Sequence, residues 1–132
     1  MPVIQSHTAT KDEITKAGQA FALAAPTFDS IQAYCEALTS IKPKLESEYA
    51  DASAITSPTE YASFHANVIL AIEKQKSGVT DFLDYYTEVY NTGTSDLAIF
   101  ERALNACNEA DNLWYNTVLP ELEKLIAGVS SF

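Results

Sequence analysis

The chain has 132 residues, 47% hydrophobic and 20% charged, a balance that suits one globular domain burying roughly two thirds of its unfolded surface and that excludes a disordered chain. Eight Lys and Arg against eighteen Asp and Glu leave a net charge of −10, a field that repels nucleic acid and anionic lipid headgroups. No apolar run approaches the ~20 residues of a membrane-spanning helix, and Met1 to Thr10 lacks the basic segment, apolar core and cleavage site of a signal peptide.

Residues 1–10, His7 among them, read as a flexible tail, and residues 11–128 as a single helical domain. Thr10-Lys-Asp-Glu13 has the form of a capping box, in which hydroxyl and carboxylate satisfy each other's free amides at a helix start. Behind it Ile14, Ala17, Phe21 and Ala24 recur at spacings of three and four, predicting a helix from Lys11 to Ala25. Pro26 disfavours helical geometry at Ala25, and Thr27 can cap a new start, so a break is weighed against a kinked continuation. The apolar seam runs on through Phe28, Ile31, Cys35, Leu38, Leu45 and Tyr49, and Pro43 is expected to bend it.

Ser57-Pro58-Thr59-Glu60 sets a capping serine before a proline and a glutamate. Tyr61, Phe64, Val68, Ile72, Gln75, Val79 and Phe82 then carry one long helix to Asn91, about 50 Å at 1.5 Å per residue. Gly78 weakens that helix without ending it. Gly93 is the expected left-handed residue of the following turn, with Thr94 or Ser95 as the next cap. Leu97, Phe100, Leu104, Cys107, Trp114, Val118 and Leu122 mark a last helix, kinked at Pro120 and stopping at Gly128. Short turns between long helices predict an all-α fold, an antiparallel up-and-down bundle of three long helices plus a shorter N-terminal one.

Three sets of residues stand out within that frame. Cys35 and Cys107 fall at one level of the bundle, near ~18 Å from the turn at Thr92, and are read either as small buried apolar residues or as a disulfide. Asp111 interrupts the last seam at the level of Gln75 or Lys76 and of Thr39. It is read as part of a polar layer that fixes helix register, with a ligand pocket around Asp111, Gln75 and Trp114 as the sharper alternative. Asp81, Asp84, Tyr85, Glu88 and Tyr90 make an outward acidic and aromatic stripe, a candidate partner patch set against an ordinary solvated face.

His65 lies near the seam of its helix, at the level of Tyr49, Glu46 or Glu121. Neither Glu-x-x-His nor His-x-x-x-His occurs, so a structural role is expected for it, with no metal and no cofactor. There is no phosphate loop, nucleophile elbow or clustered His and Cys, and the expectation is that the protein is not an enzyme.

The segment from Ser57 to Val79, with the final "LPELEKL", resembles small all-helical domains of uncharacterised function in lipoproteins and surface proteins of Gram-positive bacteria. Pro58, Tyr61 and His65 stand where those domains carry a proline, an aromatic and a histidine, over roughly half the chain. The resemblance implies a bacterial cell-surface or secreted setting and a binding role toward a protein or small ligand. Small acidic bundles also resemble bacteriocin immunity proteins in general character, which sets a cytoplasmic regulator as the alternative.

Overall fold

In the computed structural model, which describes residues 2–130, the chain is an all-helical bundle with no strand among the described residues. The elements are α1 (Pro2–Leu23), α2 (Phe28–Ala54), α3 (Ala62–Thr92) after a 3₁₀ turn at Thr59–Tyr61, α4 (Leu97–Leu113), and α5 (Leu119–Ser130), joined to α4 by a π-helical turn at Trp114–Val118. Each of the first three helices packs on the next in sequence. Partner numbers fall as residue numbers rise: Ser6 and Thr10 meet Glu48 while Phe21 meets Tyr34, and Lys74 meets Glu109 while Asp81 meets Arg102.

The N-terminal helix is a correction to the expected tail. It starts at Pro2, where a missing N–H costs no hydrogen bond, and runs 22 residues, so residues 2–10 are its opening turns and no short helix exists at this end. Thr10 and Glu13 lie mid-helix and form no capping box. The Thr10 hydroxyl turns to Glu48 and to the Ser6 carbonyl, and Glu13 pairs with Lys44. After Leu23 the chain breaks at Pro26, and Thr27 and Ser30 exchange the reciprocal side-chain to backbone bonds that start α2. Pro43 sits inside α2, within an otherwise continuous helix.

The cap expected at Ser57 does not form either. Pro58 itself is the last extended residue, so Ser57 stands one position too early, and its hydroxyl reaches only the Pro58 carbonyl. Gly93 closes α3 at φ +71°, as its lack of a Cβ permits. The next cap is Asp96, not Thr94 or Ser95: its carboxylate accepts the Ala98 amide at 3.0 Å, placing negative charge at the positive end of α4. Before Pro120, which offers no amide, the Leu119 N–H reaches back to the Trp114 carbonyl and the helix carries one wide turn through to α5.

Two apolar clusters fill the bundle. Ile4, Ala52, Phe64, Val68, Ile72, Trp114 and Val118 pack where the chain enters α1, and Leu38, Ile41, Leu45 and Val79 pack further along. Gly78 lets α4 approach α3 closely, for a Cβ there would overlap Cys107 Sγ and stand 3.1 Å from the Cys107 amide nitrogen. No described helix is long and apolar enough to cross a membrane.

Candidate functional site

Between the apolar clusters the seam turns polar. His7, Thr10 and Lys11 from α1, Glu48 from α2 and Gln75 from α3 are all buried. Burying such groups costs several kcal/mol each unless they are bonded, and these are bonded to one another. Glu48 Oε2 accepts from Ser6 Oγ at 2.8 Å and Thr10 Oγ1 at 2.7 Å, and Glu48 Oε1 lies 2.9 Å from His7 Nδ1. Burial alone would raise the Glu48 carboxyl, but the bonds from His7, Thr10 and Ser6 outweigh it and hold the group below its ordinary value. Burial likewise holds the His7 imidazole below its ordinary value, against the opposing pull of Glu48. The pair is therefore a neutral imidazole donating Nδ1–H to a carboxylate.

Its second nitrogen points into the core. The His7 ring stands edge-on to Trp114, centroids 4.5 Å apart, and neither His7 Nε2 nor Trp114 Nε1 bonds any described residue. Each such atom costs about 1–3 kcal/mol, so the Glu48 cluster and the surrounding apolar packing must offset both.

A second group bridges α1, α3 and α4. Lys11 Nζ donates to Gln75 Oε1 at 2.6 Å and to Asp111 Oδ1 at 2.5 Å, and lies 5.4 Å from the centre of the Tyr115 ring. Gln75 Nε2 in turn faces Cys107 Sγ at 3.7 Å. The structure thus joins Gln75 and Asp111, but through a lysine. Asp111 is 57% exposed at the rim, Thr39 is exposed and donates to the Cys35 carbonyl, and Trp114 is fully buried against His7. The four residues expected as one layer or pocket are therefore dispersed: Trp114 faces the first cluster, Thr39 faces solvent, and Lys11 stands between Gln75 and Asp111.

Both cysteines are free. Cys35 lies beside Thr87, whereas Cys107 packs on Gly78, nine residues and roughly 13 Å earlier along α3, so they occupy different levels. Burial, followed by the nearby Asp111 charge, pushes the Cys107 thiol up to about 11, which keeps it protonated. His65 Nε2 donates to the Ala52 carbonyl at 2.7 Å, tying the end of α2 to the start of α3. Tyr49, by contrast, meets Lys76. Among the described residues no group of three or more His, Cys, Asp and Glu is placed to hold a metal ion.

The candidate partner stripe divides. Asp81 is drawn under Arg102 of α4, with Oδ2 3.2 Å from Nε. Tyr85 is half-buried against Tyr86 and Phe100. Asp84 and Glu88 remain exposed, and the Tyr90 ring meets Phe28 at 6.0 Å. Rings of Phe21, Tyr34, Tyr86, Phe82 and Phe100 pack beneath them and join all four helices at this end. On its outside the side chains of Leu23 (88%), Phe28 (59%) and Leu97 (65%) stand in solvent. The sequence singles out the tyrosines here but not Phe28 and Leu97 as surface residues, because their spacing continues the core seams, nor Leu23, which lies off the seam of α1. Comparison with family profiles, with curated proteins and with solved structures finds no match to this chain.

Proposed function

We propose that this chain is a non-enzymatic interaction module: an antiparallel up-and-down bundle, held in register by its polar seam, that presents the aromatic end to a protein partner. The observation that carries the reading is the exposure of Leu23, Phe28, Tyr90 and Leu97 at the end that holds the α1 to α2 and α3 to α4 connections, with the Phe28 and Tyr90 rings in contact. Ile55, Tyr115 and Ile126 are exposed elsewhere, but among the described residues Leu23 and Leu97 at this end are the most exposed large apolar side chains, and such side chains gathered at one end and rimmed by polar groups favour an interaction site. His7 and Glu48, a pair able to exchange a proton, are committed to each other in the interior.

A cell-surface or secreted setting is the proposed location, supported by the resemblance of the Pro58 segment. The separate, unbonded cysteines lend no support to an oxidising compartment and favour the cytoplasmic regulator as the second reading.

Phe28 and Leu97 are exposed, so exchanging both for serine shifts stability by no more than about 0.5 kcal/mol each. Used as bait beside the unaltered protein and a variant changed at the far end (Ile126→Ser), the Phe28→Ser, Leu97→Ser protein should lose specific partners that the other two retain. Identical captures by all three, or losses confined to the Ile126→Ser bait, count against this end as the recognition surface.

A further inference from the structure

We propose that the aromatic end binds a basic amphipathic segment of a partner protein, an assignment that rests on reading this end as the recognition surface. Residues 17–41 and 77–101 build this half of the bundle and together contain seven carboxylates and no lysine, arginine or histidine. All eight Lys and Arg lie outside these two stretches. Arg102, at the boundary, is held by Asp81 and lies within the weaker fields of Asp96 and Asp84. Leu23, Phe28, Tyr90 and Leu97 therefore stand exposed inside a field of one sign, with the Phe28 and Tyr90 rings in contact and Asp84 and Glu88 exposed on the α3 side.

That charge selects the occupant. A second copy would bring seven like charges against seven, while nucleic acids and anionic bilayers are repelled outright. A segment with apolar residues on one face and Lys or Arg on the other meets both requirements: its apolar side covers Phe28 and Leu97, its cations face Asp84 and Glu88, and a cation can stack on the Tyr90 ring. Beside Tyr90 an open groove of about 410 Å³ runs between α2 and α3, with Leu83 and Thr87 on one side and Glu36 on the other. It is shaped to take one long side chain, an aliphatic stem along Leu83 and an ammonium at Glu36.

The test is fluorescence anisotropy with two labelled synthetic helices, one carrying leucine on one face and lysine on the other, the second its twin with glutamate for lysine. The lysine peptide should bind, weaken with salt, and lose about tenfold in affinity both to Phe28→Ser, Leu97→Ser and to Asp84→Asn, Glu88→Gln, with melting temperatures showing each variant folded. Binding of the lysine peptide equally to every variant, or to none including the unaltered protein, overturns the proposal. If the glutamate twin binds and depends on Phe28 and Leu97, the recognition surface stands while the basic partner falls. A dimer of the unaltered protein in sedimentation, dissociated by Phe28→Ser, makes the occupant a second copy and also overturns it.

Discussion

Glu48 receives hydrogen bonds from three side chains, and both groups of the His7–Glu48 pair have pKa values held below their ordinary ones. The two shifts act in different pH windows. Above 6.5, the ordinary value of histidine, His7 is neutral folded and unfolded, and its contribution is complete; as pH falls below 6.5 the unfolded chain takes up the proton first, and stability is lost until the lowered folded value is reached. For Glu48 the contribution is complete above 4.5 and is lost as pH falls through the lowered folded value. Acidification should therefore lower the melting temperature in two stages, and His7→Gln, which can still donate to Glu48, should remove the upper one. Melts followed by circular dichroism at closely spaced pH decide it, and an unchanged slope between 6.5 and 4.5 in the variant excludes His7 as its source. Lys11 and Gln75 allow a second prediction. Lys11→Met alone strands Gln75 Oε1 and should cost about 1–3 kcal/mol, and Gln75→Leu alone a similar amount. The double variant replaces both polar groups with apolar ones of like size and should lie near the unaltered protein in urea unfolding. Additive losses would show that the two side chains act independently.

At the scale of the helix, the spacing of apolar residues made α2, α3 and α4 legible, because each buries a stripe that repeats every three or four positions. The same spacing runs through Ile4, His7, Lys11 and Ile14, and through Leu45, Glu48 and Ala52. There the seam positions are polar, so hydrophobic periodicity alone shows a tail where the chain forms a helix. Nothing local reveals that Glu48 waits for His7 across 41 residues. The wide turn had a quieter signal: Ala110, Trp114, Val118 and Leu122 keep a spacing of four three times running, more than a regular helix absorbs without drifting, and the π-helical turn takes up the excess. By sequence Gly78 is only a weak helix former, yet its role is close approach. Two glycines inside helices should therefore respond oppositely to alanine. Gly18 has nothing near its absent Cβ, so Gly18→Ala should gain up to about 1 kcal/mol from helix propensity. Gly78→Ala drives a methyl into Cys107 and the α4 backbone and should lose about 1–3 kcal/mol. Thermal melts of both separate propensity from packing, and a gain at Gly78 would show that α4 can move aside.

Across the whole molecule the charge is unevenly spread, and this has a consequence for folding as well as for recognition. Carboxylates crowded on one half of the bundle repel each other in the folded state more than in the expanded chain, a cost that counter-ions relieve. The Debye length shrinks from about 30 Å at 0.01 M to about 10 Å at 0.1 M salt. Melting temperature should accordingly rise with sodium chloride over that range, the reverse of what a fold held by exposed ion pairs such as Lys44–Glu13 would do. Asp84→Asn with Glu88→Gln should raise the melting temperature at low salt and flatten the salt response, whereas Glu13→Gln, which leaves Lys44 without its partner, should do neither. If stability is indifferent to salt, or if the Asp84 and Glu88 exchanges lower it, those carboxylates are not in repulsive contact. A gain in stability on neutralising them, together with lost affinity for a basic peptide, would identify a surface kept at some cost to the fold because a partner of opposite charge requires it.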